Sequence, residues 1–329
     1  MNSRERVLKA VNFEKPDRVP MDVGGMRASG INAVVYDKLK KRAGIQTPTK
    51  IHDNMQILAE VELEVLDHLH ADIVPLDVSD ADWVGMKAEE GIARKLFCGQ
   101  EVYFAPNTNI RENEDGSWDL LDNNNEAYAH MPKNGLYFDF VTPAMTGAKL
   151  KPDSFKPMDT VPDEKLEMMA RRGKYLYENT DKAILGWGAN ITLIGLSALL
   201  GPNITQGMLN EWLCLLMAEK KTAHEMMDKY VDATINCIKL FHEAVGDYCF
   251  AWGVGADDAG TQRSEFISPD LFREMIKPHY KKLCDWVHSN TNWKTFLHSC
   301  GSIYKHIPEW IDAGIDIINP VQISAANME

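Results

Sequence analysis

Basic residues, long apolar runs and closely paired cysteines are all scarce in this sequence. The 35 Lys and Arg residues face 48 Asp and Glu residues, and the resulting net charge of −13 argues against a nucleic-acid-binding protein. No segment approaches the ~20 apolar residues of a membrane span, and the charged N-terminus lacks the apolar stretch of a secretion signal. We therefore expect a cytoplasmic protein that binds neither nucleic acid nor membrane.

Several short motifs with known chemistry are also absent. None of the six cysteines belongs to a C-x-x-C pair, so we expect most of them to be reduced and buried. The glycines near residue 30 form neither a dinucleotide fingerprint nor a phosphate loop, and no two histidines have the zinc-protease spacing. The chemistry must therefore be sought at the ends of predicted strands.

Apolar, β-branched segments alternate with amphipathic stretches along most of the chain, which predicts helices packed on a parallel sheet. Six strands are two short of a closed eight-stranded barrel, and the sequence ends just past the sixth. We expect an α/β fold, a (β/α)8 TIM barrel whose last two βα units lie beyond residue 329. A six-stranded open sheet is the alternative, although it leaves an unprotected edge. The predicted strands are 18–25, 71–78, 183–188, 247–253, 293–298 and 316–321, with a helical pattern at about 53–69.

Residues 83–141 interrupt this alternation with sequence rich in Asn, Gly and aromatic residues. The pair Asp115-Gly116 is a hairpin turn signal, so we expect a small β-rich insertion at about 83–141 within a single domain spanning 1–329. An insertion after a barrel strand lies at the catalytic face, where it acts as a lid or a substrate wall.

His298 and Cys300 end the fifth predicted strand. Being two residues apart, they point to the same side if the strand extends through them, and they lie at the carboxyl end where barrel enzymes place their active sites. Imidazole and thiolate are a pair that zinc prefers, and a third protein ligand must come from elsewhere. The alternative is a half-buried histidine packed beside a small apolar cysteine.

Other polar residues follow the neighbouring predicted strands. Asp257 and Asp258 are adjacent carboxylates after the fourth strand, and they suggest either a general acid and base or a solvated loop. Asp77 follows the second strand, and Asn190 and Thr192 follow the third. Each of these three side chains either faces a substrate or only stabilises a turn.

Four short motifs resemble the uroporphyrinogen decarboxylase superfamily, whose members are single (β/α)8 barrels that continue past the point where this sequence ends. The motifs are RERVL at 4–8, PDRVP at 16–20, DDAGTQ at 257–262 and NPVQ at 319–322. On this resemblance, the candidate substrate-binding residues are Arg27, Asp77, Asn190, Thr192, Gln262, Asn319 and Gln322.

The resemblance to the decarboxylases themselves is incomplete. Their Met-Arg-Gln-Ala-Gly-Arg string, whose arginines hold substrate propionates, corresponds to residues 26–31, where Arg27 is kept and Ile31 replaces the second arginine. Asp77 matches the family's substrate-pyrrole aspartate, but the active-site tyrosine falls near Leu196. The carboxylates of a porphyrinogen need converging cations, so the loss of one arginine and of the tyrosine disfavours that substrate. Decarboxylation of a porphyrinogen or a smaller acid is therefore kept as the alternative function.

The zinc- and cobalamin-dependent methyltransferases of the same superfamily are a better match. They bind zinc through His-x-Cys and a later cysteine, which implies that His298 and Cys300 are ligands and that the third lies beyond residue 329. The resemblance implies methyl transfer between a corrinoid on a partner protein and a small thiol acceptor or methylated or methoxylated donor. Asp257 and Asp258 would act catalytically, on the leaving group.

A corrinoid protein has to dock at the barrel mouth, where Trp118 and Tyr137 of the insertion are candidate aromatic walls. These two side chains could equally form a small local hydrophobic cluster. A third possibility is a non-catalytic or corrinoid-binding barrel, in which His298 and Cys300 are only packed.

Overall fold

A five-stranded parallel sheet is the centre of the computed structural model, which describes residues 1–78, 83, 86–141, 155–195 and 206–329. The strands are β1 (Thr49–Asp53), β2 (Leu58–Ala59), β3 (Ile73–Asp77), β4 (Ile92–Lys95), β5 (Glu101–Phe104), β6 (Ile110–Glu112), β7 (Trp118–Leu121), β8 (Ala127–Met131), β9 (Asp139–Phe140), β10 (Ala183–Trp187), β11 (Cys249–Ala256), β12 (Lys294–His298) and β13 (Ile317–Asn319).

The helices include three long ones that cover the parallel sheet. They are α1 (Ser3–Val11), α2 (Ala33–Ala43), α3 (Leu63–His68), α4 (Asp163–Asn179), α5 (Gln206–Ala218), α6 (Lys220–Val245), α7 (Pro269–Leu271), α8 (Lys277–Asn290) and α9 (Ile307–Ala313), with a π-helical turn at Phe272–Ile276. The helix α7 begins after Ser268, an N-cap residue whose Oγ accepts the Leu271 N–H at 3.2 Å. Within the described residues, no helix is long and apolar enough to cross a membrane.

The parallel sheet has the order β3-β10-β11-β12-β13, so each strand lies beside the next one along the chain. This confirms five of the six predicted strands and the α/β class. Parallel strands place their carboxyl ends at one edge of the sheet, and here the register aligns Ala256 with His298 and His298 with Asn319. Closure into an eight-stranded barrel and the last two βα units stay predictions.

The core lies between the sheet and its helices. On α6 a stripe of apolar side chains at three- and four-residue steps is buried, from Ala223 to Val245. Trp252 of β11 stacks on Trp293, with ring centroids 4.7 Å apart. Gly253 leaves space for the ring of Trp187, which a Cβ at position 253 would overlap.

The cysteines are free, but only Cys237, Cys249 and Cys284 are fully buried, so the expectation of burial was wrong for Cys98 and Cys214.

Two predicted elements take a different form. Residues 18–25 lie beside β3 but form no strand, because side chains bind their backbone donors: Asp72 accepts the Met21 N–H and Asp22 accepts the Gly25 N–H, each at 2.8 Å. The predicted helix at 53–69 is reduced to α3, because Asp53 accepts the Gln56 N–H at 2.7 Å and turns the chain into β2.

The remaining strands form two further sheets. One has the order β2-β1-β5-β4 and the other is the antiparallel meander β6-β7-β8-β9. The hairpin predicted at Asp115-Gly116 joins β6 to β7. Trp118 is buried against Phe104, with ring centroids 6.1 Å apart. For Trp118 this agrees with a local hydrophobic cluster, the alternative to a role as an aromatic wall. Tyr137 is exposed, and its part in docking stays a prediction.

Candidate metal centre

The loop after β12 turns sharply enough to bring Cys300 back towards His298. Gly301 has a φ of +93°, a left-handed conformation that L side chains rarely adopt, and a Cβ there would overlap the backbone of Gly260. Glycine at 301 therefore allows the loop carrying Cys300 to pack directly on the loop that follows β11.

Three donor atoms meet where these loops touch. His298 Nε2 lies 3.5 Å from Cys300 Sγ and 3.5 Å from Asp258 Oδ1, and all three atoms lie within 4.8 Å of one another. Asp258 Oδ1 also accepts the Cys300 N–H at 2.8 Å, which fixes the carboxylate beside the thiol. The structure thus brings the two predicted zinc ligands together with one of the two predicted catalytic carboxylates.

These spacings fit a tetrahedral zinc ion. Bonds of about 2.0 Å to nitrogen or oxygen and about 2.3 Å to sulfur separate neighbouring tetrahedral ligand atoms by roughly 3.3–3.5 Å. His298 Nδ1 lies 2.9 Å from the amide oxygen of Asn319, which can only accept a hydrogen bond. Nδ1 therefore carries the hydrogen, and the Nε2 lone pair is left to bind a metal.

The surroundings of Cys300 keep its thiol protonated unless a cation is present. Burial raises the pKa of the Cys300 thiol, and the nearby Asp258 carboxylate raises this pKa further. A divalent cation among these donors would reverse the effect and favour the thiolate. The donor set and its electrostatics therefore make this cluster a candidate cation site.

The neighbouring Asp257 has quite different surroundings. Its carboxylate is only 1% exposed, and it accepts the backbone N–H groups of Leu193, Ile194 and Gly195 at 2.8–3.1 Å. Burial raises the pKa of Asp257 above its ordinary value, and these hydrogen bonds and one from Tyr280 only partly offset that rise. A direct catalytic role stays a prediction, and the burial favours a positioning role for Asp257, which ties the loop after β10 to the loop that carries Asp258.

A cavity of about 460 Å³ lies beside the metal centre at the carboxyl ends of β3, β10 and β11. Predicted substrate-binding residues from separate parts of the sequence line it, namely Arg27, Asp77 and Asn190, together with His298. Thr192 instead lies 3.2 Å from Asp257, to which its Oγ1 donates. The cavity therefore joins three of the seven predicted substrate residues to one predicted zinc ligand.

Comparison with known proteins shows the family of this chain. The model of the uroporphyrinogen decarboxylase (URO-D) family matches residues 144–322, more than half of the chain. The chain belongs to the uroporphyrinogen decarboxylase family. No curated protein matches it. Among solved structures, a methyltransferase from Methanosarcina mazei is similar over 97% of this chain and 75% of that chain, with a TM-score of 0.49 and 17% identity.

Membership of the URO-D family implies a TIM-barrel-like fold, consistent with the strand order of the parallel sheet. Ile31, at the position of the second propionate arginine of the decarboxylases, packs against the apolar cluster of the smaller sheets. Leu196, near which the active-site tyrosine of the decarboxylases falls, lies outside the described residues.

The other three predicted substrate residues support the loop that carries Cys300. Gln322 Oε1 accepts the Gly301 N–H at 2.8 Å, and Gln322 Nε2 donates to Gln262 at 3.0 Å. Asn319 is bonded to His298, as described above. In this URO-D family member these amides are bonded to His298 and to the loop of Cys300, two of the three candidate donor residues.

Two residues with contacts at the site were not among those predicted. Asp53 lies 2.7 Å from Arg27, and Tyr280 donates its hydroxyl to Asp257 at 3.1 Å. Asp53 was hidden by the helix-like apolar spacing at 53–69, although an aspartate three residues before Gln56 is a turn signal. Tyr280 lies in the middle of α8, where its sequence context resembles that of any core aromatic residue.

Proposed function

We propose that the chain is a zinc-dependent methyltransferase. It moves a methyl group between a corrinoid held by a partner protein and a small molecule, either a thiol acceptor or a methylated or methoxylated donor. The observation that carries this proposal is the convergence of His298, Cys300 and Asp258 at the edge of the cavity. A later cysteine ligand beyond residue 329 stays a prediction, and Asp258 supplies the third donor among the described residues.

The donor residues and their neighbours have separate roles in this proposal. His298, Cys300 and Asp258 would hold the zinc, and Asn319 would orient the imidazole so that Nε2 faces the ion. Bound zinc supplies Lewis acidity, which favours a thiolate over a thiol and polarises an ether oxygen or thioether sulfur. Gln322 accepts the Gly301 N–H and so holds the loop of Cys300 in place. The distance between the Cys300 thiol and the His298 imidazole is therefore fixed by this hydrogen bond.

The size of the cavity supports a small substrate. A volume of about 460 Å³ is within the range of small-molecule sites, and the lining includes apolar Trp187 as well as the polar groups Asp77 and Asn190. A corrinoid bound to another protein is too large to enter such a space. We therefore propose that it approaches the metal centre from the cavity mouth.

Decarboxylation is the second candidate function. It is favoured by one observation, the presence of Arg27 and Asp77 in the same cavity, because these residues match the propionate arginine and the pyrrole aspartate of the decarboxylases. A decarboxylase should lose substrate affinity when Arg27 is replaced, and it needs no metal. Zinc content therefore separates the two functions.

The test is zinc stoichiometry by elemental analysis of the purified full chain. We expect near-equimolar zinc in the unmodified protein and in the control Cys98→Ser, because Cys98 is an exposed cysteine outside the donor cluster. Zinc should fall sharply in Cys300→Ser. Methyl transfer from methylcobalamin to a thiol would then be measured on all three proteins in the presence of added zinc, and only Cys300→Ser should lose it.

Absence of zinc from all three proteins would overturn the methyltransferase proposal. The second candidate would then be tested by porphyrinogen decarboxylation, with Arg27→Gln expected to raise the KM. Equal zinc in Cys300→Ser and the unmodified protein would instead show that the metal lies outside the His298–Cys300–Asp258 cluster.

A further inference from the structure

The guanidinium of Arg27 is already bound to a carboxylate of this chain. Arg27 Nε lies 2.7 Å from Asp53 Oδ2, and the side chain of Asp53 is 3% exposed while that of Arg27 is 48% exposed. Arg27 lies in the turn Arg27–Ser29 and lines the cavity described above. The positive charge that would attract an anionic ligand to this side of the cavity is therefore largely neutralised.

Asp53 is fixed in place rather than free to rotate away. It is the last residue of β1, and its Oδ1 accepts the Gln56 N–H at 2.7 Å while its Oδ2 faces Arg27. Displacing it from Arg27 would leave a buried carboxylate without a cationic partner, which is costly. A ligand carboxylate therefore competes poorly for this arginine.

A second cavity borders the ion pair. Its volume is about 290 Å³, and both Arg27 and Asp53 line it. Most of its other polar groups are neutral amides and hydroxyls, namely Asn54, Asn107, Thr108, Asn109, Asn123 and Tyr128. The described walls around the ion pair thus offer hydrogen bonds but little net charge.

The charge of the first cavity also disfavours an anionic ligand. Asp77 is the carboxylate among its described lining residues, and His52 Nε2 lies 3.8 Å from its Oδ2. An anionic ligand beside Asp77 would meet a like charge, because Arg27 already has its counter-ion.

We propose that Asp53 is a specificity-determining residue that neutralises Arg27, so that the cavity accepts an uncharged substrate and disfavours a carboxylate. This inference rests on the proposed function only in taking the ligand to be the methyl-bearing substrate. Because Asp53 neutralises Arg27, an acidic ligand gains no free positive charge in this cavity and is repelled by Asp77.

The first experiment measures the state of Arg27 without any ligand. Phenylglyoxal modifies free guanidinium groups, and peptide mass spectrometry gives the rate at each arginine. Arg27 should react several-fold faster in Asp53→Asn than in the unmodified protein, because the amide keeps the Gln56 hydrogen bond but loses the charge. Arg111 is the internal control: its side chain is also 48% exposed and lies 2.7 Å from Asp119. Its rate should not change.

The second experiment measures ligand choice by calorimetry with two probes of matched shape, 2-methoxyphenol and the anion 2-methoxybenzoate. Asp53→Asn should bind the benzoate about tenfold more tightly than the unmodified protein does, as expected for one added charge-assisted hydrogen bond. Affinity for the phenol should stay nearly constant. Adding Arg27→Gln to Asp53→Asn should abolish the gain.

Each measurement is repeated in Cys300→Ser, so that a carboxylate bound to zinc is not mistaken for one bound to Arg27. An equal labelling rate of Arg27 with and without the Asp53 charge would overturn the inference. So would a benzoate affinity that Asp53→Asn leaves unchanged. Loss of zinc affects only the proposed function, whereas these two outcomes concern only Asp53.

Discussion

Asp257 beside the parallel sheet and two aspartates of the smaller sheets are buried carboxylates that are held in different ways. Asp257, after β11, is held mainly by the backbone N–H groups of residues 193–195. Asp53 and Asp119, in the smaller sheets, are held by the side chains of Arg27 and Arg111. Backbone donors cannot rotate away, so they fix the position of a carboxylate, whereas an arginine partner also neutralises its charge.

The largest effect should come from removing the charge that the backbone holds. Asp257→Asn keeps one acceptor oxygen but turns an amide N–H₂ towards buried backbone donors, so we expect a loss of about 2–4 kcal/mol in the free energy of unfolding. Chemical denaturation of the zinc-free protein measures this loss.

The adjacent carboxylate is the matched control. Asp258 is 58% exposed at its side chain, so Asp258→Asn should change the free energy of unfolding by no more than about 0.5 kcal/mol, while zinc binding weakens. Equal destabilisation by the two variants would contradict the distinction between a positioning residue and a ligand.

A smaller effect should follow from the amide that orients His298. Asn319→Leu removes the acceptor of the His298 Nδ1–H, so the imidazole is no longer fixed with Nε2 towards the metal. We expect zinc affinity to fall by about 10- to 100-fold. Competition with a chromophoric chelator measures this affinity.

Asn290→Leu is the control for that variant. Asn290 ends α8 and is exposed, and its side chain bonds only within its own helix, to the Trp286 carbonyl oxygen. Its zinc affinity should equal that of the unmodified protein. An unchanged affinity in Asn319→Leu would show that the histidine orientation is set by packing alone.

The parallel sheet could be predicted from the sequence more fully than the smaller sheets. The strands of the parallel sheet are continuous apolar segments, and neighbours in the chain are neighbours in the sheet, so the order of the polar residues after them could be inferred. His298 and Cys300 were found in this way. The sequence could not tell which of the adjacent residues Asp257 and Asp258 faces the core, because they lie in a loop without a fixed period.

The smaller sheets were harder to predict. Strand β1 pairs with β5, about 50 residues later, and no local pattern reports a pairing over that distance. Asp53 falls at the end of β1, in a segment whose apolar spacing is typical of a helix. The contact between Asp53 and Arg27 therefore depends on tertiary structure that local periodicity does not contain.

The smallest effect concerns the carboxylate held by side chains in the antiparallel meander. Burial raises the pKa of Asp119, but hydrogen bonds from His130 and Arg111 outweigh burial and lower this pKa from 3.8 to about 2. A depressed carboxyl pKa contributes stability above the unfolded value, and that contribution is lost as the pH falls through the folded value. Because Arg111 is half exposed, we expect only about 1–2 kcal/mol after screening.

The measurement compares the free energy of unfolding of the unmodified protein and Asp119→Asn from pH 7 downwards. The difference between them should be nearly constant above about pH 5 and should shrink between about pH 4 and pH 2. Arg111→Gln should reduce both the difference and its pH dependence, because it removes one of the three side-chain hydrogen bonds, from His130, Arg111 and Asn113, that lower the pKa of Asp119. A difference that stays constant to pH 2 would mean that packing, and not the paired charge, stabilises Asp119, and the contrast with Asp257 would then not hold.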